Sequence, residues 1–318
     1  MYIIQASYFF SFSNFSKNHA NFSGGGISFN VAVSGASLQH SRLEKNSAMR
    51  SGGGLELTSS NYGVNISTCT FSKNTVFNGT GGAINLASRN GIGLFLTDNE
   101  INLYNVTFVS NSATSGGSVS AFVSNKVSFF DSIFRDNVAV EDGGAVLMSG
   151  DSAVYINNTR FVNNKAGQRG GAILMLSRPD VYAKDVFISN NTAQSGGAMM
   201  IQTASLPELN GIFKVNSNTA KWGSAFCFVD VIQSRRDLHV AEIVNNKATI
   251  AGTMYWLCLV ANCTEPDGIR TVRTLSSNQS PSGQVFATQA VQAVIKHKQQ
   301  VANYLNPLSK CLKRKYCI

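Results

Sequence analysis

Apolar and polar residues alternate in short stretches along most of the chain, and each stretch leads into the same motif. Residues 127–134 run Val-Ser-Phe-Phe-Asp-Ser-Ile-Phe, so alternate side chains can face a core and the solvent. The motif that follows is Phe-x-x-Asn-x-Ala, a short gap and Gly-Gly-Ala, as between Phe134 and Ala145. A few apolar residues come next, as at 145–148, 172–175 and 198–201, and they predict buried strands. This order predicts short strands separated by tight turns.

The motif recurs along almost the whole chain, and most successive copies begin 26 to 32 residues apart. Its first residues are Phe15, Leu43, Phe71, Phe108, Phe134, Phe161, Phe187, Phe213, Ile243 and Leu275. Its asparagines are Asn18, Asn46, Asn74, Asn111, Asn137, Asn164, Asn191, Asn218, Asn246 and Asn278. The second glycines of its clearest pairs are Gly25, Gly53, Gly82, Gly117, Gly144, Gly171 and Gly197. Self-similarity at a short period is typical of a repeat architecture.

Three kinds of repeat unit have to be considered: a helix pair, a propeller blade and one coil of a solenoid. Val, Ile, Phe, Thr, Asn and Gly are abundant in the units, and this composition favours strands and turns over helices. A propeller blade needs four strands in about 40–45 residues, which is more than these units contain. The sequence therefore predicts an all-β fold, a single-stranded right-handed parallel β-helix of about ten coils over residues 1–290.

Each part of the motif has a predicted structural role in this stack. The aromatic residues are predicted to stack on their counterparts in the next coil, about 4.8 Å away. The asparagines are predicted to adopt left-handed backbone angles in a tight turn and to form a ladder. The glycine pair supplies a corner with positive φ and no Cβ to meet the neighbouring coil. A functional site must therefore stand out against the repeat.

The pairing of Phe-x-x-Asn with Gly-Gly-Ala over residues 10–290 resembles the repeats of the chlamydial polymorphic outer-membrane proteins. More broadly, it is similar to the pectin-lyase-like right-handed β-helix superfamily. The chlamydial resemblance implies an adhesin passenger that is exported through a C-terminal transmembrane barrel. The chain departs from this pattern, because no run of amphipathic membrane strands follows Ala287. The last copies look more like eukaryotic arrays, in which the repeats form the outer part of a larger surface protein.

The formal net charge is +9, but the excess is concentrated at one end. Six basic residues and no acidic one lie in residues 291–318, and the other 20 basic residues nearly balance the 17 acidic ones. No basic stripe with interleaved aromatic residues is visible in the repeats, so no nucleic-acid partner is predicted. Val291, Val294 and Ile295 recur at near-helical spacing, which predicts a basic C-terminal cap or tail over 291–318. A basic membrane-surface helix is the alternative.

Cysteines and sequons bear on the compartment. Cys69 and Cys227 are about six coils apart and are predicted not to pair. The other cysteines form two pairs that are close in sequence, Cys258 with Cys263 and Cys311 with Cys317. These four cysteines either form disulfides or are free thiols buried as small hydrophobic side chains. Asn-x-Ser/Thr sequons favour an extracellular or cell-surface place and begin at Asn14, Asn21, Asn65, Asn78, Asn105, Asn157, Asn190, Asn262 and Asn278.

The chain ends give two further expectations. Residues 1–10 are apolar but broken by Gln5 and Ser7 and have no basic start, so no signal peptide is visible. The longest uncharged apolar stretch, 254–261, is too short to span a bilayer, so no transmembrane segment is predicted. A stack needs caps over its end strands, and the first residues offer none. We therefore expect the chain to be part of a longer polypeptide.

The chain lacks the motifs of β-helix enzymes that cleave polysaccharides, which need clustered carboxylates or acids that hold Ca²⁺. Acidic residues crowd only one coil, at Asp131, Asp136, Glu141 and Asp142. A carboxylate dyad, either Asp131 with Asp136 or Glu141 with Asp142, is the functional interpretation of this acid cluster. The alternative is charge pairing of 141–142 with Gln168 and Arg169 one coil away. No zinc spacing, phosphate loop or calcium nonapeptide appears, so no catalytic residue, metal or cofactor is predicted.

Tyrosines offer a different kind of candidate site. Tyr62, Tyr104, Tyr155 and Tyr182 lie in or near the strands that precede the motif. A column of tyrosines on one outer face would provide a stacking surface for glycans, and inward packing is the alternative. The missing catalytic clusters favour a non-catalytic, adhesin-like surface module that binds a glycan or a cell-surface protein through coil-edge loops such as 85–102 and 203–211. A divergent polysaccharide lyase or glycosidase and a purely structural spacer are the alternatives.

Overall fold

The computed structural model describes residues 8–30, 33–58, 61–87, 99–204, 206–231, 242–258, 274–280 and 286–290. Every helix or strand assigned in these residues is a β-strand, and the strands are numbered β1 to β33 in chain order. All strand pairs within the described residues are parallel, and they stack turn upon turn as a β-solenoid with three faces. The predicted all-β, parallel, repetitive fold is therefore confirmed.

The first sheet has 15 strands and forms one face of the solenoid. In the early turns two short strands cover this face, and in three later turns a single long strand does so. The short strands are β1 (Phe9–Ser11), β2 (Asn14–Ser16), β5 (Ser37–Gln39), β6 (Arg42–Glu44), β9 (Val64–Ser67), β10 (Thr70–Ser72), β13 (Glu100–Tyr104), β14 (Thr107–Val109), β17 (Lys126–Phe130) and β18 (Ile133–Arg135). The others are β21 (Ala153–Val162), β24 (Asp180–Ser189), β26 (Glu208–Asn216), β29 (Glu242–Val244) and β32 (Thr274–Ser276).

The second face is divided into a six-stranded and a two-stranded sheet. The six strands are β3 (His19–Ala20), β7 (Ser47–Ala48), β11 (Thr75–Val76), β15 (Ser112–Ser115), β19 (Val138–Asp142) and β22 (Lys165–Ala166). The two strands are β27 (Thr219–Trp222) and β30 (Lys247–Ala251). Eight turns among the described residues therefore have a strand on every face. Six of them contribute to the six-stranded sheet and two to the two-stranded sheet.

The third sheet has ten strands and closes each turn. Its strands are β4 (Ile27–Phe29), β8 (Leu55–Thr58), β12 (Ile84–Ala87), β16 (Val119–Phe122), β20 (Val146–Ser149), β23 (Ile173–Leu176), β25 (Met199–Gln202), β28 (Phe226–Val229), β31 (Met254–Cys258) and β33 (Phe286–Ala290). The repeat therefore reaches the end of the predicted 1–290 region. The predicted tail, 291–318, lies outside the described residues.

An aromatic stack runs through the core under the first sheet. Phe71, Phe108, Phe134 and Phe161 face one another in register in four successive turns and are fully buried. Their ring centroids are 5.2, 4.5 and 4.8 Å apart, and the ring planes are within 19° of parallel. One side chain per turn thus packs against its own counterpart, which explains why the aromatic residue recurs.

The aromatic stack ends before Phe187, and the prediction for this residue is wrong. Ile188 faces Phe161, while Phe187 faces Arg160 on the outer surface. The guanidinium carbon of Arg160 lies 5.5 Å from the centre of the Phe187 ring. The inward position must lie three residues before the ladder asparagine, here Asn191, and Ile188 satisfies that spacing.

Phe213 is also out of the predicted register. Val215 faces Ile188 and lies three residues before Asn218, so it occupies the stack position of that turn. Phe213 is nonetheless fully buried and pairs with Val186. The core accepts a phenylalanine here at a neighbouring inward position.

A ladder of asparagine side chains runs beside the aromatic stack. The Asn164 Oδ1 accepts the backbone N–H of Asn137 at 3.0 Å and its Nδ2 at 2.9 Å. The Asn164 Nδ2 donates to the Phe134 carbonyl and to the Asn191 Oδ1, both at 3.0 Å. The linked residues are Asn18, Asn46, Asn74, Asn111, Asn137, Asn164, Asn191, Asn218, Asn246 and Asn278. The ladder satisfies backbone groups that the turns would otherwise bury unpaired.

The left-handed backbone position precedes the ladder asparagine and does not coincide with it, contrary to the prediction. The φ angle is +58° at Asp136 and +56° at Asn163, the residues before Asn137 and Asn164. The ladder asparagine must direct its amide into the stack to reach the next turn. The sharp bend therefore falls on the more exposed residue before it.

The two glycines of each pair are required for different reasons. Gly143 has a φ of +62°, a conformation that residues with a Cβ rarely adopt. Gly144 has no such angle, but a Cβ there would meet the Gly171 carbonyl oxygen in the next turn. The first glycine makes the corner and the second allows the turns to approach.

A second, smaller apolar cluster covers the outer side of the third sheet. Leu147, Leu174, Met200, Cys227 and Tyr255 alternate with residues that point into the main core, yet all five are buried. Side chains at the ends of the second-face strands, Trp222 and Ala251, pack against this cluster. Both sides of the third sheet are therefore buried in these turns.

Cys69 and Cys227 are buried free thiols. Burial raises the pKa of Cys227 to about 12 and raises that of Cys69 as well. Because the thiolate is the nucleophile, we expect neither residue to react with iodoacetamide in the folded protein at a pH of about 8. Raising the pH by about one unit should not change this, since the pKa of Cys227 stays above it.

Mass-spectrometric peptide mapping after a short exposure measures this labelling residue by residue. Both peptides should become labelled once denaturant unfolds the chain. Labelling of Cys227 in the native protein at the rate of an exposed cysteine would contradict the buried position. The side chain of Cys258 and all of Cys263, Cys311 and Cys317 lie outside the described residues, and so do their predicted pairings.

Candidate functional site

Aromatic side chains interrupt the polar outer surface of the first sheet in four successive turns. Tyr104 and Phe130 each follow a buried core residue at the end of β13 and β17. Tyr155 and Tyr182 each lie between two buried residues in β21 and β24. Because side chains alternate along a strand, all four rings lie on the outer side of the same sheet. We call these four residues the aromatic face.

The rings of the aromatic face form two stacked pairs in adjacent columns. Tyr104 and Phe130 are in register, with ring centroids 4.9 Å apart and planes at 8°. Tyr155 and Tyr182 are in register, with centroids 5.1 Å apart and planes at 9°. Tyr155 faces Ser128 and not Phe130, so the second pair is displaced by two residues along the strands. The result is a stepped apolar surface.

A shallow groove of about 200 Å³ crosses the aromatic face from Phe130 to Tyr182. Asn157, Lys184 and Asn210 line it with amide and ammonium groups. Tyr155 is 37% exposed, so its ring is open to a ligand. Ring faces flanked by hydrogen-bonding groups suit ligands that have both C–H patches and hydroxyls.

Two lysines near the aromatic face differ in their partners. The Lys126 ammonium donates to the Glu100 Oε1 at 2.8 Å, and this hydrogen bond raises the pKa of Lys126. Lys184 has no carboxylate within ion-pair distance in the part of the chain that the structure describes. Its ammonium can therefore bind a ligand group without first breaking an ion pair.

The structure divides the tyrosines that the sequence grouped together. Tyr104, Tyr155 and Tyr182 lie on the outer side of one sheet, but in two columns and not one. Tyr62 precedes β9 and pairs with Ser34, outside both columns. Phe130 was not among the residues predicted from the sequence. The signal was present, because Phe130 follows the inward-facing Phe129 in an alternating strand and must therefore face outward.

The predicted acid cluster does not form one site. Asp131 and Asp136 both occupy left-handed turn positions, with φ of +52° and +58°. Each accepts a hydrogen bond from an asparagine of the next turn, Asp131 from Asn158 at 2.7 Å and Asp136 from Asn163 at 3.3 Å. They therefore act as turn residues of the stack.

Asp142 is buried, and Arg169 of the next turn binds it in a bidentate ion pair. The Arg169 Nε and Nη2 donate to the two carboxylate oxygens at 2.9 and 2.8 Å. The Arg169 Nη1 donates to the Gln202 Oε1 at 2.7 Å. Pairing across coils is thus the correct interpretation of Asp142, and its place in a carboxylate dyad with Glu141 is wrong. Among the described residues, no group of acidic, histidine or cysteine side chains could hold a metal ion.

Comparisons with known proteins identified no relative of this chain. A scan against protein-family models found no match, and searches of curated proteins and of solved structures found no significant match. In the described ranges, no helix is long and apolar enough to cross a membrane.

Proposed function

We propose that this chain is a non-catalytic, adhesin-like interaction module of the extracellular space or cell surface, which binds glycans through the aromatic face. The observation that carries the proposal is a groove in which three of the four outward rings lie beside the polar groups of Asn157, Lys184 and Asn210. Sugar rings present C–H patches that pack on aromatic faces and hydroxyls that these groups can bind. A cell-surface protein is the second kind of partner that such a surface suits.

We extend this proposal to the handedness of the solenoid and to its number of turns. We propose a right-handed coil of about ten turns, because parallel crossovers are right-handed in about 98% of cases. The resemblance of the motif to chlamydial surface-protein repeats and to the pectin-lyase-like superfamily supports this. That resemblance also supports a longer polypeptide in which the solenoid is the outer part.

Several sequons are accessible, in keeping with a surface glycoprotein. Asn65, Asn78 and Asn105 are exposed. Asn278 is unsuited to glycosylation, because it is half-buried within the ladder, where its Nδ2 donates to the Ile243 carbonyl and its Oδ1 accepts from Asn246, whereas the hydrogen bonds of Asn65 lie at the exposed surface. An extracellular place therefore predicts glycans on the first three and none on Asn278.

The double variant Tyr155→Ala/Tyr182→Ala tests glycan binding. We expect it to weaken binding to neutral glycans on an array at least about fivefold, since each of the two ring contacts contributes about 0.5–1.5 kcal/mol. Tyr62→Ala/Phe77→Ala is the matched control, because it removes two exposed rings away from the aromatic face. Titration calorimetry on the best array ligand quantifies the loss.

Three outcomes would count against this proposal. Unchanged affinity in the double variant would place the site elsewhere. Release of products from a polysaccharide panel would support the divergent enzyme. A wild-type protein that binds neither glycans nor cell surfaces would support the structural spacer.

A further inference from the structure

The left-handed position before the ladder asparagine carries an unusual set of residues at one end of the solenoid. It is occupied by Lys17, Lys45 and Lys73 in three successive turns, with φ of +59°, +55° and +54°. The same position in the later turns carries Ser110, Asp136, Asn163, Asn190, Ser217, Asn245 and Ser277. We call the three basic residues the lysine column.

Backbone hydrogen bonds hold the lysine column in register. The Lys17 N–H donates to the Glu44 carbonyl at 3.0 Å, and the Lys45 N–H donates to the Ser72 carbonyl at 2.9 Å. Each lysine therefore lies one turn above the next, a step of about 4.8 Å. All three side chains are exposed.

The lysine column is short of counter-charge. Glu44 is its neighbouring carboxylate, and Lys45 contacts it at 3.2 Å, with Arg42 at 3.8 Å. The hydrogen bond from Lys45 lowers the pKa of Glu44, with smaller contributions from Arg42 and Lys73. Lys17 and Lys73 have no ion-pair partner among the described residues. The surface around the column is therefore positive.

Stability does not explain this choice of residues. Asparagine and glycine adopt left-handed backbone angles at a lower cost than lysine. Like charges at directly opposed positions of neighbouring strands also repel one another. The later turns show that the fold accepts serine or asparagine at this position. Three lysines here are therefore costly for the fold and useful for binding an anion.

We propose that Lys17, Lys45 and Lys73 bind a linear anionic polysaccharide that lies along the solenoid axis, with one charged group per sugar. The step between turns is similar to the length of one sugar residue, so successive ammonium groups can meet successive carboxylates or sulfates. Ser16, Glu44 and Ser72 flank the lysines on one side, and His19, Ser47 and Thr75 flank them on the other, so no continuous run of rings for base stacking accompanies the column. This disfavours a single-stranded nucleic acid. The site is separate from the aromatic face and does not rest on glycan binding there.

The test compares two triple variants that remove the same charge. Lys17→Ser/Lys45→Ser/Lys73→Ser installs a residue that the same position already carries in other turns. Lys165→Ser/Lys221→Ser/Lys247→Ser removes three exposed lysines of the second face. The probes are polygalacturonate for carboxylates, dextran sulfate for sulfates and dextran as the uncharged reference, in low salt. We expect the first variant to bind at least one charged probe at least about tenfold more weakly and the second to change little.

Each outcome of this comparison either supports or contradicts binding at the lysine column. Selective loss in the lysine-column variant, with retained circular dichroism and with binding that disappears near 1 M salt, supports the proposal. The relative loss on polygalacturonate and on dextran sulfate identifies the anionic group. Equal loss in both triple variants, no wild-type binding to either charged probe, or tighter binding to duplex DNA than to both would overturn it. Tyr155→Ala/Tyr182→Ala should leave this binding unchanged, so failure of one site does not imply failure of the other.

Discussion

Replacing Asn164 by alanine is expected to destabilise the solenoid by about 3 to 5 kcal/mol, because it leaves several buried polar groups unpaired. The Oδ1 of Asn164 accepts two hydrogen bonds from Asn137, and its Nδ2 donates to the Phe134 carbonyl and the Asn191 Oδ1. Alanine provides none of these. Water cannot easily replace them, since Asn137 and Asn164 are almost completely buried.

Two controls separate the ladder from asparagine in general. Asn18 is exposed at the end of the ladder and donates to Asn46 alone, so Asn18→Ala should cost about 1 kcal/mol or less. Asn210→Ala, on the outer surface, should change stability by no more than about 0.5 kcal/mol. Urea unfolding followed by circular dichroism gives all three values. Equal effects at Asn18 and Asn164 would show that the ladder does not act as a continuous network.

The repeat made the fold class predictable, because each inward residue packs against its own copy. Phe134 stacks on Phe108 and Phe161, and Asn137 bonds to Asn164, so phenylalanine recurs in four successive turns and asparagine recurs along the whole ladder. A fixed period in the sequence is the direct trace of this self-contact. Local propensity alone would not have distinguished this fold from other all-β folds.

Register was harder to predict where two apolar residues are adjacent. Phe187 resembles the other first residues of the motif, but Ile188 has the correct spacing to Asn191. Spacing decides, since a shift of one residue moves a side chain to the opposite face of a strand. Residue type was therefore the weaker guide, and distance to the ladder asparagine was the stronger one.

The candidate site was only partly predictable for a related reason. Outward residues do not contact their own copies in the core, so they can vary from turn to turn. The sequence identified Tyr155 and Tyr182 but could not show that Tyr104 stacks on Phe130 in a separate column. The sequence did not reveal the lysine column, because the residue before the motif's asparagine was treated as a variable spacer. Its position in an exposed turn was not recognised. The apolar stretches 145–148, 172–175 and 198–201 predicted buried strands, and the burial of Leu147, Leu174 and Met200 confirms this.

Replacing Gly144 by alanine is expected to be more damaging than replacing a glycine with positive φ. A Cβ at Gly144 would meet the Gly171 carbonyl oxygen and the Lys165 backbone of the next turn. Two turns would have to separate, breaking parallel hydrogen bonds in the middle of the stack. We expect a cost of about 3 kcal/mol or more, since both neighbours are backbone atoms that cannot rotate away.

Gly63→Ala is the matched variant for this comparison. Gly63 has a φ of +59°, but a Cβ there would find its nearest neighbour, the Gly35 nitrogen, at 4.0 Å. It should therefore cost only the backbone strain, about 1–2 kcal/mol. If Gly144→Ala does not fold, Gly25→Ala provides the same contact with a facing glycine carbonyl, that of Gly53, in the first turns, where fewer turns must move. The order of stability expected in urea unfolding is Gly63→Ala, then Gly25→Ala, then Gly144→Ala. A Gly144→Ala protein as stable as Gly63→Ala would show that the turns can separate at little cost, and that the close approach of the turns does not explain the second glycine.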